Sequence, residues 1–213
     1  MTPKVFNLSP VFEKTYHHYL AELAGIDFAF VEKRLGIRIE ERTAMIPFFN
    51  RKYRIDKNGV ADMDGKKAPF DISVILLKYL MLCPKDPPTD KRWVAFREIK
   101  GAAPLIGYFS NEVEKVISKR FSGRFNALKK AAERLQGYPP ENEFPYLFSA
   151  RFDALPQIRL LMLFNDADDE FQAHCSVLFE KRSEAYLDPE CLAIIGARLA
   201  GGLCLSADAF SEG

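Results

Sequence analysis

Imidazoles and thiols are the side chains best suited to metal and nucleophile chemistry, and the chain has few of either. It carries His17, His18 and His174, with Cys83, Cys175, Cys191 and Cys204. His17 and His18 are adjacent in a stretch of helical periodicity, so their rings leave the axis about 100° apart and cannot chelate one ion. The H-E-x-x-H spacing that solves this problem is missing. His174 and Cys175 fall in a strand pattern, where successive side chains point to opposite faces. No two cysteines form C-x-x-C, and each reads as a small buried hydrophobe in a reducing compartment. A set such as Cys83, His174 and Cys191 could converge only through folding, so the spacing assigns no metal site and no cofactor.

The densest carboxylate cluster is Asn165-Asp166-Ala167-Asp168-Asp169-Glu170. Hard cations favour oxygen-rich loops, yet taking Asp166 as the first ligand puts Phe171 where an EF-hand needs glycine and Val177 where it needs a bidentate glutamate. The cluster reads as a solvated connection between strands. Trp93-Val94-Ala95-Phe96-Arg97-Glu98 places the only tryptophan beside an Arg-Glu pair, a combination that can grip an anionic or planar ligand. Trp93, Arg97, Glu98, Asp166, Asp168 and Glu170 are therefore the candidate ligand-binding residues. Residues 115–134 hold seven basic side chains and one acid, Glu133, with Phe121 and Phe125 interleaved. That is a possible RNA surface and also the ordinary outer face of a helix. No glycine-rich phosphate loop, G-x-G-x-x-G or G-x-S-x-G elbow is present, which excludes nucleotide binding and serine hydrolysis by those routes.

Several of these blocks carry a resemblance. Residues 93–98, then Leu155-Pro156-Gln157-Ile158 running to Asp168-Asp169-Glu170-Phe171, then Val177-Leu178-Phe179 and Tyr186-Leu187 with Glu190, resemble the prokaryotic family known as domain of unknown function 3786. Glu180 stands where the resemblance leads one to expect Asp. Members are small proteins, mostly of anaerobic bacteria and archaea, some joined to iron–sulphur cluster segments. The resemblance thus implies an accessory role near anaerobic redox or corrinoid metabolism, and it brings no catalytic residues.

These groups must be positioned by elements the pattern also suggests. Ser9-Pro10 starts a helix with Phe12, Tyr16, Tyr19, Leu20 and Leu23 on one face. Asp27 and Gly36 bracket a second helix. Short β-branched or alternating runs from Ile37 to Ile55, with Asn58-Gly59 as a hairpin turn, predict an antiparallel meander. Asp71 caps an apolar helix too short to cross a bilayer. Helices over 111–120 and 122–136 follow, then strands over 146–152, 158–164 and 176–179, the last two apolar enough to be central. Asp188-Pro189 opens a final helix whose small residues suit close packing on the sheet, with Gly201-Gly202 fraying it before a mobile tail.

The 213 residues are 48% hydrophobic, enough for a sizeable core, and 30 basic against 29 acidic side chains give a net charge of +1. Such balance supplies no global field toward nucleic acid or an anionic membrane. The N-terminal residues 1–6 lack the apolar run of a secretory signal, which points to the cytoplasm. The expectation is an α+β fold with a mixed or mainly antiparallel sheet, the Asp71 and Asp188 helices packed on it, as one compact domain over 1–213 or as lobes 1–90 and 91–213. Functionally it is a non-enzymatic ligand-binding or accessory module that grips a small ligand or a partner protein. The alternatives are an enzyme whose cleft joins Glu98 with Asp166 or Asp168, and RNA binding through the basic helical pair.

Overall fold

The structure, a computed structural model, describes residues 10–208. The Ser9 cap, the side chain of Phe12, the N-terminal residues 1–6 and the tail beyond Asp208 lie outside the described residues. The fold is α+β, and the chain divides into two compact units: Met1–Ile46 with Lys52–Cys83, and Pro47–Arg51 with Pro84–Gly213.

The first unit contains helices α1 (Pro10–Glu22) and α2 (Phe28–Leu35), strands β1 (Arg38–Glu40), β2 (Thr43–Phe48, all but its last two residues), β3 (Arg51–Asp56, all but its first residue) and β4 (Gly59–Asp62), and helix α3 (Phe70–Met81). Asp27 caps α2 by accepting from Phe30 N at 3.1 Å, and Gly36 closes it at φ 69°. The four strands form a meander in the order β1-β2-β3-β4. Its β3–β4 turn is Lys57-Asn58, tightened by Asp56 accepting from Asn58 N at 2.7 Å, so Gly59, at φ 129°, begins β4 instead of completing the turn. The β1–β2 turn puts two non-glycine residues, Glu41 and Arg42, at φ 47° and 67°, with the Arg42 guanidinium 5.5 Å from the centre of the Phe28 ring. Asp71 is not the cap of α3. Pro69 holds that position without a side-chain bond, and Asp71 sits in the first turn, where its charge suits the helix dipole.

In the second unit, strands β5 (Trp93–Ala95), β6 (Phe148–Leu155), β7 (Ile158–Asn165) and β8 (His174–Glu180) form an antiparallel sheet in the order β5-β8-β7-β6. The two strands expected to be central are central. One face is wholly apolar: Phe152, Leu160, Met162, Phe164, Val177 and Phe179 are buried on it. A continuous helical run faces it. It comprises the 3-10 turn Ala103–Leu105, α4 (Ile106–Phe109), a π turn (Ser110–Glu114) and α5 (Lys115–Phe121), followed by α6 (Phe125–Arg134). Phe109 stacks on Phe96 at 4.2 Å between ring centres and lies 5.9 Å from Phe179, which joins helix to sheet.

The last helix, α7 (Pro189–Asp208), is capped by Asp188, which accepts from Cys191 N at 2.9 Å. Its small residues meet helices, contrary to the expectation of a sheet contact. A Cβ at Gly196 would lie 2.5 Å from Phe109 of α4, and one at Gly202 would lie 3.1 Å from Leu135 just past α6. Nor does Gly201-Gly202 end the helix, which runs on to Asp208 because Leu203 and Ala207 are still buried. At the end of α6 the left-handed residue is Gln136, at φ 58°. Gly137 is small for another reason: a Cβ there would meet Phe152 at 2.6 Å and the Ala132 carbonyl at 2.9 Å.

Candidate functional site

Around the C-terminal end of β8, β5 pairs through Trp93↔Glu180 and Ala95↔Leu178 and then turns into a 3-10 helix, Phe96–Glu98. Glu98 bends back so that Oε1 accepts from Ala95 N at 2.9 Å, while its carbonyl accepts from Lys181 Nζ at 3.1 Å. Trp93 is half-buried, and among the described residues no guanidinium lies over its ring. Arg97 is exposed and makes no ion pair among the described residues. Of this trio, Glu98 is bonded to the backbone, while the Trp93 indole N–H and the Arg97 guanidinium have no hydrogen-bond partner among the described residues.

The acidic segment is the β7–β8 connection at the other end of β8. Asp166 Oδ1 accepts from Gly123 N at 2.7 Å and Ala167 N at 2.8 Å. Asp168 Oδ1 accepts from Glu170 N at 2.9 Å and Phe171 N at 2.7 Å. The bonds to residues 167, 170 and 171 are the turn-building habit of aspartate, and the Gly123 bond ties the loop to the α5–α6 turn. Among the described residues no three His, Cys, Asp or Glu side chains form a metal-holding group. Glu98 and the Asp166–Asp168 pair are held at opposite ends of a seven-residue strand, about 20 Å apart at the usual strand rise. The structure does not bring them into one cleft.

His174 is exposed and Cys175 buried, on opposite faces of β8 as the alternation requires. Burial, aided by the Glu114 charge, pushes the Cys175 thiol well above its ordinary range, the opposite of an activated nucleophile. Glu114 itself went unnoticed in the sequence. It stands in the π turn, and its Oε1 accepts from Val177 N at 3.2 Å. That N–H lies past the last β5 pair, at Leu178, so the carboxylate replaces a missing strand. Burial raises the Glu114 carboxyl above the usual carboxylate range, opposed by the Val177 N–H and by the charges of His174 and Arg97.

A second group also escaped sequence reading because its members are distant in the chain. On the polar face of the sheet, buried Glu180 accepts from Arg182 Nε at 2.5 Å and Arg159 Nη1 at 3.4 Å, and Arg182 Nη1 donates to Gln157 at 3.0 Å. Arg159 Nε lies 3.3 Å from Asp153 Oδ1, an ion pair without hydrogen-bond alignment. Tyr138 extends the row by donating to Asp153 at 2.8 Å and accepting from Arg151 Nε at 2.6 Å. Signs alternate along it, and Glu141, 2.9 Å from Arg151 Nη1, supplies a third carboxylate against the three arginines. The available signal was a charge at the same level of two apolar strands, Arg159 in β7 and Glu180 in β8.

The basic helical pair is similarly engaged. Lys115 donates to Asn111, Arg120 pairs with Asp208, Arg134 donates to the Ser206 carbonyl and Lys129 lies over Phe125. Lys119 and Arg124 remain as exposed cations. Helix α7 is long and apolar enough to cross a membrane by length and composition, and half of that stretch is buried inside the fold, as in the core helix of a globular protein.

Residues 27–201 match the model of a family described as Domain of unknown function (DUF3786). No curated protein and no solved structure matches the chain.

Proposed function

Since the chain belongs to this family of unknown function, we propose that it is a non-enzymatic ligand-binding or accessory module, serving anaerobic redox or corrinoid metabolism in the cytoplasm. One surface is the Trp93–Glu98 segment, where Arg97 grips an anionic ligand beside the half-buried indole. The other is the acidic connection of residues 166–170, which meets a partner.

The observation that carries this reading is the contrast in how the polar groups are used. Glu98, Asp166 and Asp168 are bonded to backbone N–H groups, and Cys175 is buried away from His174. Arg97 projects a guanidinium that makes no ion pair or hydrogen bond among the described residues, its charge felt by the Glu114 carboxyl. A guanidinium of this kind recognises carboxylate or phosphate oxygens, which tetrapyrroles, corrinoids and nucleotides all carry or can carry.

Thermal-shift screening of wild type and Arg97→Ala against metals, tetrapyrroles, corrinoids and nucleotides tests the reading. A bound ligand raises the wild-type midpoint by mass action and raises the variant's less. Absence of any differential shift counts against it.

A further inference from the structure

The β7–β8 connection holds an aromatic ring out in water by a built framework. Phe171 is 68% exposed and Leu147, at the same end of the sheet, is 55% exposed. The loop is pinned by Asp166 to Gly123 and by Asp168 to Phe171 N, with Asp168 N donating back to the Phe171 carbonyl at 3.0 Å. Leu147 N is fixed in turn to Asn165 Oδ1 at 2.8 Å. A preordered, protruding aromatic loses little freedom when it docks, which is what an interface anchor requires.

Around this tip both signs of charge stand unneutralised. Asp169 and Glu170 are exposed, and their side chains make no ion pair among the described residues. The same holds for Lys119 and Arg124, which flank the α5–α6 turn whose Gly123 touches the loop. The opposite charges stand on two segments joined by the Asp166–Gly123 bond and yet make no ion pair with each other. A two-fold axis through the tip resolves this, because each acidic loop then lies over the basic turn of the other copy while the apolar tips meet. We propose that this end of the second unit is a self-complementary surface for a second copy of the chain, with Phe171 and Leu147 at its centre and the Asp169–Glu170 and Lys119–Arg124 groups paired across its rim.

The inference rests on reading the acidic connection as a partner surface, and it is independent of the ligand proposed at Arg97. The experiment is sedimentation equilibrium of the full chain over a wide concentration series at low and high salt. Wild type forms a dimer that weakens with salt. Phe171→Ser leaves the loop's backbone bonds in place and raises the dimer dissociation constant by about tenfold or more. Asp169→Lys with Glu170→Lys abolishes the dimer, as does Lys119→Glu with Arg124→Glu, and the four changes together restore it. A monomer at every concentration, a dimer indifferent to Phe171→Ser or to either reversal, or a combined variant that stays monomeric overturns the proposal. The Arg97 thermal-shift result moves with none of these outcomes, so the two readings fail separately.

Discussion

Glu114 stands in for a strand, and removing it measures what that substitution contributes. The Val177 N–H is on a buried residue, beyond the reach of β5, and Glu114 Oε1 is its acceptor at 3.2 Å. In Glu114→Ala a partly buried donor loses its partner, at a cost of up to about 1–3 kcal/mol. At roughly 2–4 °C per kcal/mol for a chain of this size, the midpoint falls by about 2–12 °C. Glu114→Gln keeps an acceptor at the same place and cannot ionise, which separates the bond from the charge. Burial raises the Glu114 carboxyl in the folded protein, so the native state holds that proton more tightly than the unfolded chain does. Its stabilising contribution is then fully present below the unfolded value of about 4.3, and is lost as pH rises through the higher folded value. Glu114→Gln is therefore more stable than wild type at neutral pH, and the difference shrinks as pH falls below the carboxylate range. Calorimetry at several pH values, with hydrogen exchange at the Val177 amide, checks both parts. An alanine variant as stable and as protected as wild type refutes the bond, and a glutamine variant that falls as far as alanine refutes the role of charge.

Three further outcomes follow from packing and backbone geometry. Glu180→Ala leaves the buried Arg182 without its carboxylate and costs about 3–5 kcal/mol, whereas Glu180→Leu with Arg182→Met is far milder in urea unfolding, because no buried charge is stranded. Gly196→Ala forces a Cβ to within 2.5 Å of Phe109 and destabilises by about 1–3 kcal/mol, while Gly201→Ala, with nothing within 4 Å, stabilises by up to about 1 kcal/mol. Glu41→Asn with Arg42→Gly relieves two positive-φ residues in the β1–β2 turn and raises the thermal midpoint, by about 0.5–1 kcal/mol of stability less what the Arg42–Phe28 contact contributes.

Local signals were legible where one residue does one local job. Asp27, Gly36 and Asp188 act at the helix ends where their side chains or lack of one would place them. The apolar density of β7 revealed its central place because a strand buried nearly end to end has no need to alternate, whereas β8 is central although its burial alternates. Errors arose where tertiary contacts reassigned a residue. Ser122 does not start α6, since Gly123 turns left-handed at φ 66° and donates to Asp166, which delays the helix to Phe125. Gly201-Gly202 looked like a stop, yet flanking side chains are buried enough to carry α7 through it. The Glu180 network and Glu114 were illegible for a related reason: cross-strand neighbours and a π turn leave no fixed spacing in the sequence.

The proposed function requires the carboxylates and thiols to serve the structure and to leave a surface for binding instead of a reactive centre. Alkylation of the native protein by iodoacetamide across pH, read per cysteine by mass spectrometry, tests it most directly. All four thiols are free, and burial raises Cys83, Cys175 and Cys204 above the ordinary thiol range. The account predicts that Cys175 and Cys191 stay unlabelled until the protein unfolds, and that Cys83 and Cys204 react slowly and only at alkaline pH. Rapid labelling of Cys175 at neutral pH contradicts it, for that thiol would then be an accessible, activated nucleophile.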